Sequence, residues 1–499
     1  MEDQCTVRTA SLGARPGPGR ASAGRPVRRS DGLVRWRGGG AVAVRELLIS
    51  WEPGGGDLTG RLTRALRAAV REGRLAGGVR LPASRALAAE LGVSRGVVVE
   101  AYERLAAEGY LVGRRGSGTR VAPGVAVERA GAAVRAPAAE PRYDLKPGSP
   151  DLGAFPRTAW AGAVRRALQG AANRDLGYGD PAGLPRLRRE LAAYLGRVRA
   201  VAAGPEQVAV VSGVGQGLAL LVPVLAGRGL RRIAVEDPGS PGTLALLRAH
   251  GVEPVGVPVD QEGLVVRELA AGGADAVLVT PAHQYPTGVA LSARRRTELA
   301  RWARAGGLVL EDDYDAEFRY DREPLGAVQG LAPERTVYLG SLSKTLAPGL
   351  RLGWAVLPGW LAEDFREAKR YADLGTGAVD QLAFAALLES GGYDRHLRTV
   401  RPRYRARRDA LVDALRAHLP RAPLRGVAAG LHLYADLPPG VDEAALAAAA
   451  LRRGVRVATV GPGRLTPGGP ALALGYAVLP EQRLREAAEL LGQAHREVS

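Results

Sequence analysis

From Asp144 onwards, short apolar runs alternate with stretches of helical periodicity. Each run is short enough to be a strand that is buried on both faces, and the longer stretches between them suit crossover helices. Such alternation predicts a mostly parallel sheet covered by helices, with ligands bound at the carboxyl ends of the strands. The apolar runs are at 208–211, 233–235, 276–279, 308–311, 337–339 and 354–357.

One of these predicted strands is followed by an unusual lysine. Basic charge in the chain is carried almost wholly by arginine, and the only lysines are Lys146, Lys344 and Lys369. A lysine amine can lose its proton and condense with an aldehyde, whereas a guanidinium stays protonated. Two hydroxyl residues stand before Lys344 and an arginine stands after it. The segment predicts a site for a phosphorylated aldehyde, the alternative being a polar surface loop.

Two further loops follow predicted strands. A glycine-rich loop, Ser212 to Leu218, opens a helix after the strand at 208–211, where backbone amides and the helix dipole can hold a phosphate. An acidic run, Glu311 to Asp315, follows the apolar strand residues 308–310. A carboxylate there can pair with a protonated ring nitrogen, and a tyrosine two residues on can bond a ring oxygen. The ordinary alternatives are a simple loop and a solvated helix start.

The N-terminal part has a different pattern. Helical periodicity at 58–73 is followed by predicted helices at 84–91 and 95–107, and short strands are predicted at 109–112 and 119–121. Ser94 is the expected N-cap of the third helix. Three helices with a two-stranded wing predict an α+β winged helix-turn-helix that binds double-stranded operator DNA.

Basic residues stand where such a module meets DNA. Arg95 begins the predicted recognition helix, Ser84 and Arg85 begin the helix before it, and Arg114 and Arg115 lie at the wing tip. Arginines reach phosphates and base edges from these places. Any one of them alone would be read as a solvated surface residue. Their common placement favours a DNA-binding face.

Composition sets the remaining limits. The net charge of +18 favours an acidic partner, although GC-rich coding is an alternative source of arginine. The single cysteine, Cys5, excludes an intrachain disulfide framework and a cysteine-based metal cluster, so we predict no metal site and a cytoplasmic, nucleoid-associated protein. No apolar run reaches the roughly 18 residues of a membrane span, and no membrane partner is expected. We predict a disordered basic tail at 1–44, the DNA-binding domain at 45–121, a linker at 122–142 and the second domain at 143–499.

The first domain resembles the DNA-binding domain of GntR-type regulators. The resemblance rests on R-L-P-A-S-R-A-L-A from Arg80, L-G-V-S-R from Leu91, Y-E-R-L from Tyr102 and the G-x-G-T wing. It implies DNA contacts at Arg85, Ser94, Arg95 and Gly116. Gly96 departs from the family, which usually has a polar or β-branched residue at this position.

The second domain resembles a fold-type I, pyridoxal 5′-phosphate (PLP) dependent aminotransferase with a small C-terminal α+β subdomain at about 400–499. The run from Ser341 to Gly353 matches S-x-S-K-x-x-x-P-G-x-R-x-G. The resemblance implies that Lys344 forms the internal aldimine and is the catalytic residue. Asp312 is implied to pair with the pyridine nitrogen, and Tyr178 to reach the cofactor of a neighbouring subunit in a homodimer. The other implied cofactor ligands are Gly215, Gln216, Gln284, Tyr285, Tyr314, Ser341, Ser343 and Arg351.

Together the two modules resemble the MocR family of bacterial transcription regulators. That resemblance implies a regulator that senses PLP or an amine effector. Three departures bear on the function: Ser240 replaces a ring-stacking aromatic, Tyr285 replaces an asparagine, and Ala473 replaces the arginine that grips a substrate carboxylate. The alternatives are a working aminotransferase with an appended DNA module and a DNA-binding regulator whose PLP pocket has decayed.

Overall fold

The computed structural model describes residues 56–114, 118–124, 140–321 and 325–498. These residues belong to two units, Met1–Pro137 and Ala138–Ser499. The predicted basic tail, the wing tip and most of the predicted linker lie outside the described residues, and the predicted domain boundaries stay predictions. Among the described helices, none combines the length and the apolar character that crossing a membrane requires.

The first unit is a winged helix-turn-helix. Its elements are α1 Leu58–Arg71, α2 Ser84–Leu91, α3 Arg95–Ala107, β1 Leu111–Arg114 and β2 Gly118–Val121. Leu62, Leu66, Val98 and Leu105 are fully buried, so the apolar spacing that predicted the helices also forms the core. The strands pair antiparallel with Leu111 opposite Val121.

The start of α3 differs in one detail from the prediction. Ser94 occupies the N-cap position, but its side chain makes no capping hydrogen bond within the described part of this unit. At the start of α1, by contrast, the Asp57 carboxylate accepts a 2.8 Å hydrogen bond from the amide of Gly60. The exposed Ser94 hydroxyl is therefore not engaged in holding the helix end.

The second unit contains the remaining helices and strands. The helices are α4 Arg157–Gly170, α5 Pro185–Arg199, α6 Val214–Gly227, α7 Pro241–Ala249, α8 Val266–Ala271, α9 Ala293–Arg304, α10 Gly359–Asp373, α11 Ala378–Glu389, α12 Gly392–His418, α13 Glu443–Arg452 and α14 Glu481–Val498. The strands are β3 Tyr143–Asp144, β4 Val208–Val211, β5 Ile233–Asp237, β6 Val255–Asp260, β7 Gly263–Leu264, β8 Ala276–Val279, β9 Leu308–Asp313, β10 Thr336–Ser341, β11 Gly353–Val356, β12 Leu424–Arg425, β13 His432–Asp436, β14 Val455–Arg456, β15 Ala458–Thr459 and β16 Ala471–Gly475.

An eight-stranded sheet in the order β4-β11-β10-β9-β8-β5-β6-β7 forms the centre of this unit. Strands β4, β5, β6, β8, β9 and β10 run in one direction, while β11 and β7 run against their neighbours. Along β9, Leu308 and Leu310 pack on one face and Val309 packs on the other. The run predicted at 354–357 is thus a strand, but an antiparallel one. The carboxyl ends of the six parallel strands meet at one edge.

A second, four-stranded antiparallel sheet has the order β12-β13-β16-β15. It lies in the C-terminal part of the unit, where the small α+β subdomain was predicted. The predicted boundary near residue 400 falls inside the unbroken helix α12. The two-part architecture predicted from the sequence, a winged helix-turn-helix followed by a domain with a mostly parallel sheet and a small C-terminal sheet, is present in the structure.

Candidate functional site

A cavity of about 450 Å³ opens where the parallel strands of the central sheet end. Its lining brings together residues that are far apart in the chain. The same edge of the sheet was predicted from the strand pattern alone. The predicted cofactor residues that line the cavity are Gly215, Tyr285, Asp312, Tyr314, Ser341, Ser343, Lys344 and Arg351.

One end of the cavity is a cradle of donors. Gly213 has φ +101°, and a Cβ built on it would lie 3.5 Å from Arg351 Nη2 and 3.8 Å from Ser341 Oγ. The Ser341 hydroxyl donates a 2.8 Å hydrogen bond to Ser343 Oγ. Helix α6 also begins here, and the first amides of a helix lack the usual acceptor four residues back; among them, the Gln216 amide donates to the Gly213 carbonyl at 3.1 Å. Hydroxyls, a guanidinium and a helix N-terminus around one point suit a phosphate.

Lys344 lies in the wall of the cavity, after the end of β10. Its Nζ donates a 2.5 Å hydrogen bond to the carbonyl oxygen of Gly148. Burial lowers the pKa of Lys344, and the nearby carboxylates of Asp315 and Asp312 oppose that shift. A lowered pKa increases the fraction of neutral amine, which is the nucleophilic form.

Asp312 is the second-last residue of β9. Its Oδ1 is buried and has no hydrogen-bond partner among the described residues. Burial, and then the charge of Asp313, raise the pKa of Asp312 to about 7, while Lys344 opposes the shift. A buried carboxylate oxygen without a donor is costly, so the site is prepared for a ligand that brings a donor or a positive charge.

Tyr314 connects the cavity to a buried group that the sequence analysis did not assign. Its hydroxyl donates to the carbonyl of His283 at 3.0 Å, and His283 Nδ1 lies 3.0 Å from Asp315 Oδ2. His432 packs against His283 at 4.8 Å between ring centroids and lines the cavity. Burial lowers the pKa of His432 well below its usual value, so this imidazole is neutral. In the sequence, only the acidic run and the implied ligands Gln284 and Tyr285 lie next to members of this group, since His432 belongs to a distant strand.

A second missed residue is Glu236, which lies in β5 and lines the cavity. It is 6% exposed, and Oε2 accepts hydrogen bonds from the Thr280 amide at 3.0 Å and the Thr280 hydroxyl at 2.6 Å. Burial raises the pKa of Glu236 to about 7, and the Thr280 bonds oppose this. The sequence offered no signal for it beyond its place at the end of an apolar run.

Two predicted cofactor ligands point elsewhere. The Gln284 amide donates to the Pro238 carbonyl at 2.9 Å, and its oxygen accepts from the Thr287 amide at 2.9 Å. Gln284 is 1% exposed and is not part of the cavity lining, so the side chain of this implied cofactor ligand packs within its own loop. The Gln216 side chain turns towards Asp373, and its Nε2 lies 2.6 Å from that carboxylate.

Three other residues fall outside or at the margin of the cavity. Tyr178 is 93% exposed and contributes nothing to the cavity of its own chain. Ser240 lines the cavity and caps α7 through a 3.4 Å hydrogen bond from the Thr243 amide. Ala473 is buried in β16, where it packs with Tyr434 and Val460. The position expected to hold an arginine is therefore filled by apolar packing.

The predicted DNA-binding residues cluster in the first unit. Arg85, Ser94 and Arg95 are exposed, and Arg95 Nε lies 3.5 Å from the hydroxyl of the half-buried Ser84. The starts of α2 and α3 therefore lie side by side. Arg115 and Gly116, the predicted wing contacts, lie outside the described residues.

Family models match both units. A model described as bacterial regulatory proteins, gntR family, matches residues 58–121, and the model of aminotransferase class I and II matches residues 144–491. The crystal structure of LysN, an alpha-aminoadipate aminotransferase from Thermus thermophilus, covers 71% of this chain and 92% of its own, with a TM-score of 0.65 and 28% identity. The two units thus define a helix-turn-helix transcription regulator with an aminotransferase-like domain.

Two curated relatives are named as regulators. The pyridoxine biosynthesis transcriptional regulator PdxR of Corynebacterium glutamicum is 38% identical over 400 residues, covering 78% of this chain and 86% of the relative. The probable rhizopine catabolism regulatory protein MocR of Rhizobium meliloti is 32% identical over 458 residues, covering 87% and 93%. The chain belongs to the MocR and PdxR type of GntR-family transcription regulators.

Proposed function

We propose that the first unit binds operator DNA and that the second binds PLP covalently through Lys344, so that PLP controls operator binding. The observation that carries this proposal is that one cavity is lined both by Lys344 and by Asp312, whose Oδ1 has no hydrogen-bond partner among the described residues. The relative from C. glutamicum is named for pyridoxine biosynthesis, which supports a role close to this cofactor.

The donor set fits PLP. Ser341, Ser343, Arg351 and the first turn of α6 would hold the phosphate, and Asp312 would accept from the ring nitrogen. When bound, PLP supplies an aldehyde for the Lys344 amine and an electron-accepting ring. Burial raises the pKa of Tyr314 and of Tyr285, so both hydroxyls remain protonated. Tyr285 can donate to a ring oxygen, and Tyr314 can do so by exchanging its bond to the His283 carbonyl. The LysN structure contains a phosphopyridoxyl ligand in a similar fold.

PLP itself is the effector that the cavity suits best. Among the described lining residues, the side chains that carry positive charge are Lys344 and Arg351. Both are used by the aldehyde and the phosphate, and His432 is neutral. An amino-acid effector would bring a carboxylate with no guanidinium to receive it, because Ala473 is packed in a buried apolar cluster. An effector amine without a carboxylate remains compatible with the same cavity.

The protein is proposed to act as a cytoplasmic homodimer on double-stranded DNA. Tyr178 supports the dimer, since an aromatic side chain that is 93% exposed in one chain is available to a second chain. Ser84, Arg85, Ser94 and Arg95 are proposed to contact the operator, together with Arg115 and Gly116. A ligand alters operator affinity only if it binds the two DNA-binding arrangements with different affinity.

The test is an absorption spectrum of the purified full chain with PLP, then borohydride reduction and peptide mapping. We expect a visible band and a reduced adduct on Lys344, and neither in Lys344→Ala. Operator titration follows, and we expect PLP to change the affinity of wild type and not that of Lys344→Ala. A wild-type protein without the band would overturn the cofactor site and leave only the DNA-binding unit.

A second candidate function is aminotransferase catalysis. It is favoured by the meeting of Lys344, Asp312 and Tyr314 in one cavity, since these groups suffice for a half-reaction. The packing of Ala473 argues against it. Steady-state turnover of an amino-acid and keto-acid pair by the wild-type protein would establish this function, and single-turnover conversion alone would not.

A further inference from the structure

The third lysine of the chain, Lys369, lies in α10 and is 0% exposed. Its Nζ donates to both oxygens of Asp373, at 3.1 and 2.9 Å, and to Gln216 Oε1 at 3.4 Å. A fully buried ammonium is costly, and burial lowers the pKa of Lys369 against the opposing effect of Asp373. A lysine retained in such a place, in a chain that otherwise uses arginine, calls for a specific contact.

That contact is with the loop that enters α6. Gln216 Oε1 accepts a 2.7 Å hydrogen bond from the amide of Ser212, and its Nε2 lies 2.6 Å from Asp373. The ammonium of Lys369 can face only an oxygen, and the carboxylate of Asp373 can face only an amide NH₂. The ion pair therefore fixes which end of the Gln216 amide points at Ser212. With the amide reversed, two donors would face each other at Ser212.

The ion pair of Lys369 and Asp373 also sets the charge beside the proposed phosphate cradle. Asp373 is bonded to a residue in the first turn of α6, beside the proposed phosphate cradle. Burial raises the pKa of Asp373, but hydrogen bonds from Lys369 and Gln216 have the larger combined effect, and the pKa is lowered. The carboxylate is therefore ionised. An uncompensated carboxylate near a phosphate site would repel the anion, and Lys369 cancels that charge at 2.9 Å.

We infer that Lys369 is a positioning residue for the phosphate of the cofactor: it orients Gln216, which holds the Ser212 to Gly215 loop, and it neutralises Asp373. The inference rests on the proposed function, because it requires that the loop binds a phosphate. It also gives Gln216 a role that differs from the direct ligand predicted from the sequence.

The test compares PLP with pyridoxal, which has the aldehyde and the ring but no phosphate. Dissociation constants for both are measured on the full chain, for wild type, Lys369→Met and the control Lys146→Met, which changes an exposed lysine. We expect Lys369→Met to weaken PLP at least tenfold and to change pyridoxal binding less than twofold. Lys146→Met should match wild type for both. A purely structural role would weaken both ligands alike.

A second variant removes both charges. In Lys369→Met/Asp373→Asn neither residue carries a charge, so no unpaired carboxylate lies near the phosphate site. We therefore expect its preference for PLP over pyridoxal, the ratio of the two dissociation constants, to lie between that of wild type and that of Lys369→Met. If Lys369→Met does not fold, this double variant decides, and a preference for PLP equal to that of wild type overturns the inference. An unchanged preference in folded Lys369→Met also overturns it. Failure of wild type to bind PLP would instead overturn the proposed function.

Discussion

The amine of Lys344 and the backbone carbonyl of Gly148 are joined by a 2.5 Å hydrogen bond. Gly148 has φ +119°, and a Cβ built on it would lie 3.5 Å from Lys344 Nζ. The glycine therefore allows the carbonyl to turn towards the lysine and leaves space beside the amine. A lysine held in this way is ordered before any ligand arrives, which reduces the entropy lost on binding.

Gly148→Ala tests this arrangement. The positive φ of this residue disfavours a side chain by about 1–2 kcal/mol, so the substitution would shift the backbone whose carbonyl holds the Lys344 amine. We expect a lower thermal midpoint and at least a fivefold weaker affinity for PLP, measured by absorption titration. Gly170→Ala is the control, because that glycine is exposed and a Cβ on it would meet nothing within 4 Å. Equal PLP affinity in the two variants would contradict the prediction.

Asp312→Asn should move stability and ligand binding in opposite directions. The neutral amide removes the cost of burying a carboxylate, so we expect the ligand-free protein to be as stable as wild type or more stable. The amide cannot carry the charge that stabilises a protonated ring nitrogen, so we expect PLP to bind at least tenfold more weakly. Denaturant unfolding and PLP titration check the two halves. A parallel loss of stability and affinity would assign Asp312 a structural role.

Two buried carboxyl groups should lower stability as the pH rises from 5 to 8, whereas His432, whose pKa is lowered by burial, acts in the opposite sense in the lower part of this range. The folded-state pKa of Glu236 is about 7, raised by burial from an ordinary value of 4.5. The folded protein therefore holds a proton that the unfolded chain has lost. This contribution is complete below the unfolded pKa and is lost as the pH rises through 7, at up to about 1.4 kcal/mol per pH unit. Asp312, with a pKa also raised to about 7, acts in the same sense.

Glu236→Gln removes one of these protons, so we expect a shallower fall of the thermal midpoint between pH 5 and 8. Glu489→Gln, which changes an exposed glutamate of α14, should leave the slope as in wild type. A Glu236→Gln protein with the wild-type slope would contradict the burial of this carboxyl group.

Arg85 and Arg95 should each contribute to the salt dependence of DNA binding. Every phosphate contact that is lost reduces the slope of log K against log salt concentration by about 0.9. We expect Arg85→Ala and Arg95→Ala to weaken binding to a short random-sequence duplex, and each lost phosphate contact to reduce the slope by this amount. Arg104→Ala is the matched control, because Arg104 lies at the other end of α3 and pairs with Glu100. Equal slopes in all three variants would remove this face from the interface.

The sequence predicted what depends on local spacing. Apolar periodicity located the helices of the first unit and the strands of the central sheet, and strand ends located Lys344, Asp312 and Ser341. It could not predict contacts set by distant partners. Gln216 turns from the cavity because Asp373, 157 residues away, attracts its amide. The direction of β11 is a second example. It lies between β4 and β10 and runs antiparallel to both, and the apolar run that predicted this strand carries no information about its direction.

The placement of the three lysines, one buried, one half-buried and one exposed, has a consequence for specificity towards small aldehydes. Free aldehydes form adventitious adducts with exposed amines on most protein surfaces, and these adducts compete with a true site. Here Lys369 is sealed in an ion pair and Lys344 lies in the cavity, so Lys146 is the one exposed lysine side chain. Among the side-chain amines, only that of Lys146 is therefore exposed to compete with the cavity for PLP. A titration with PLP would measure occupancy of the cavity with little background.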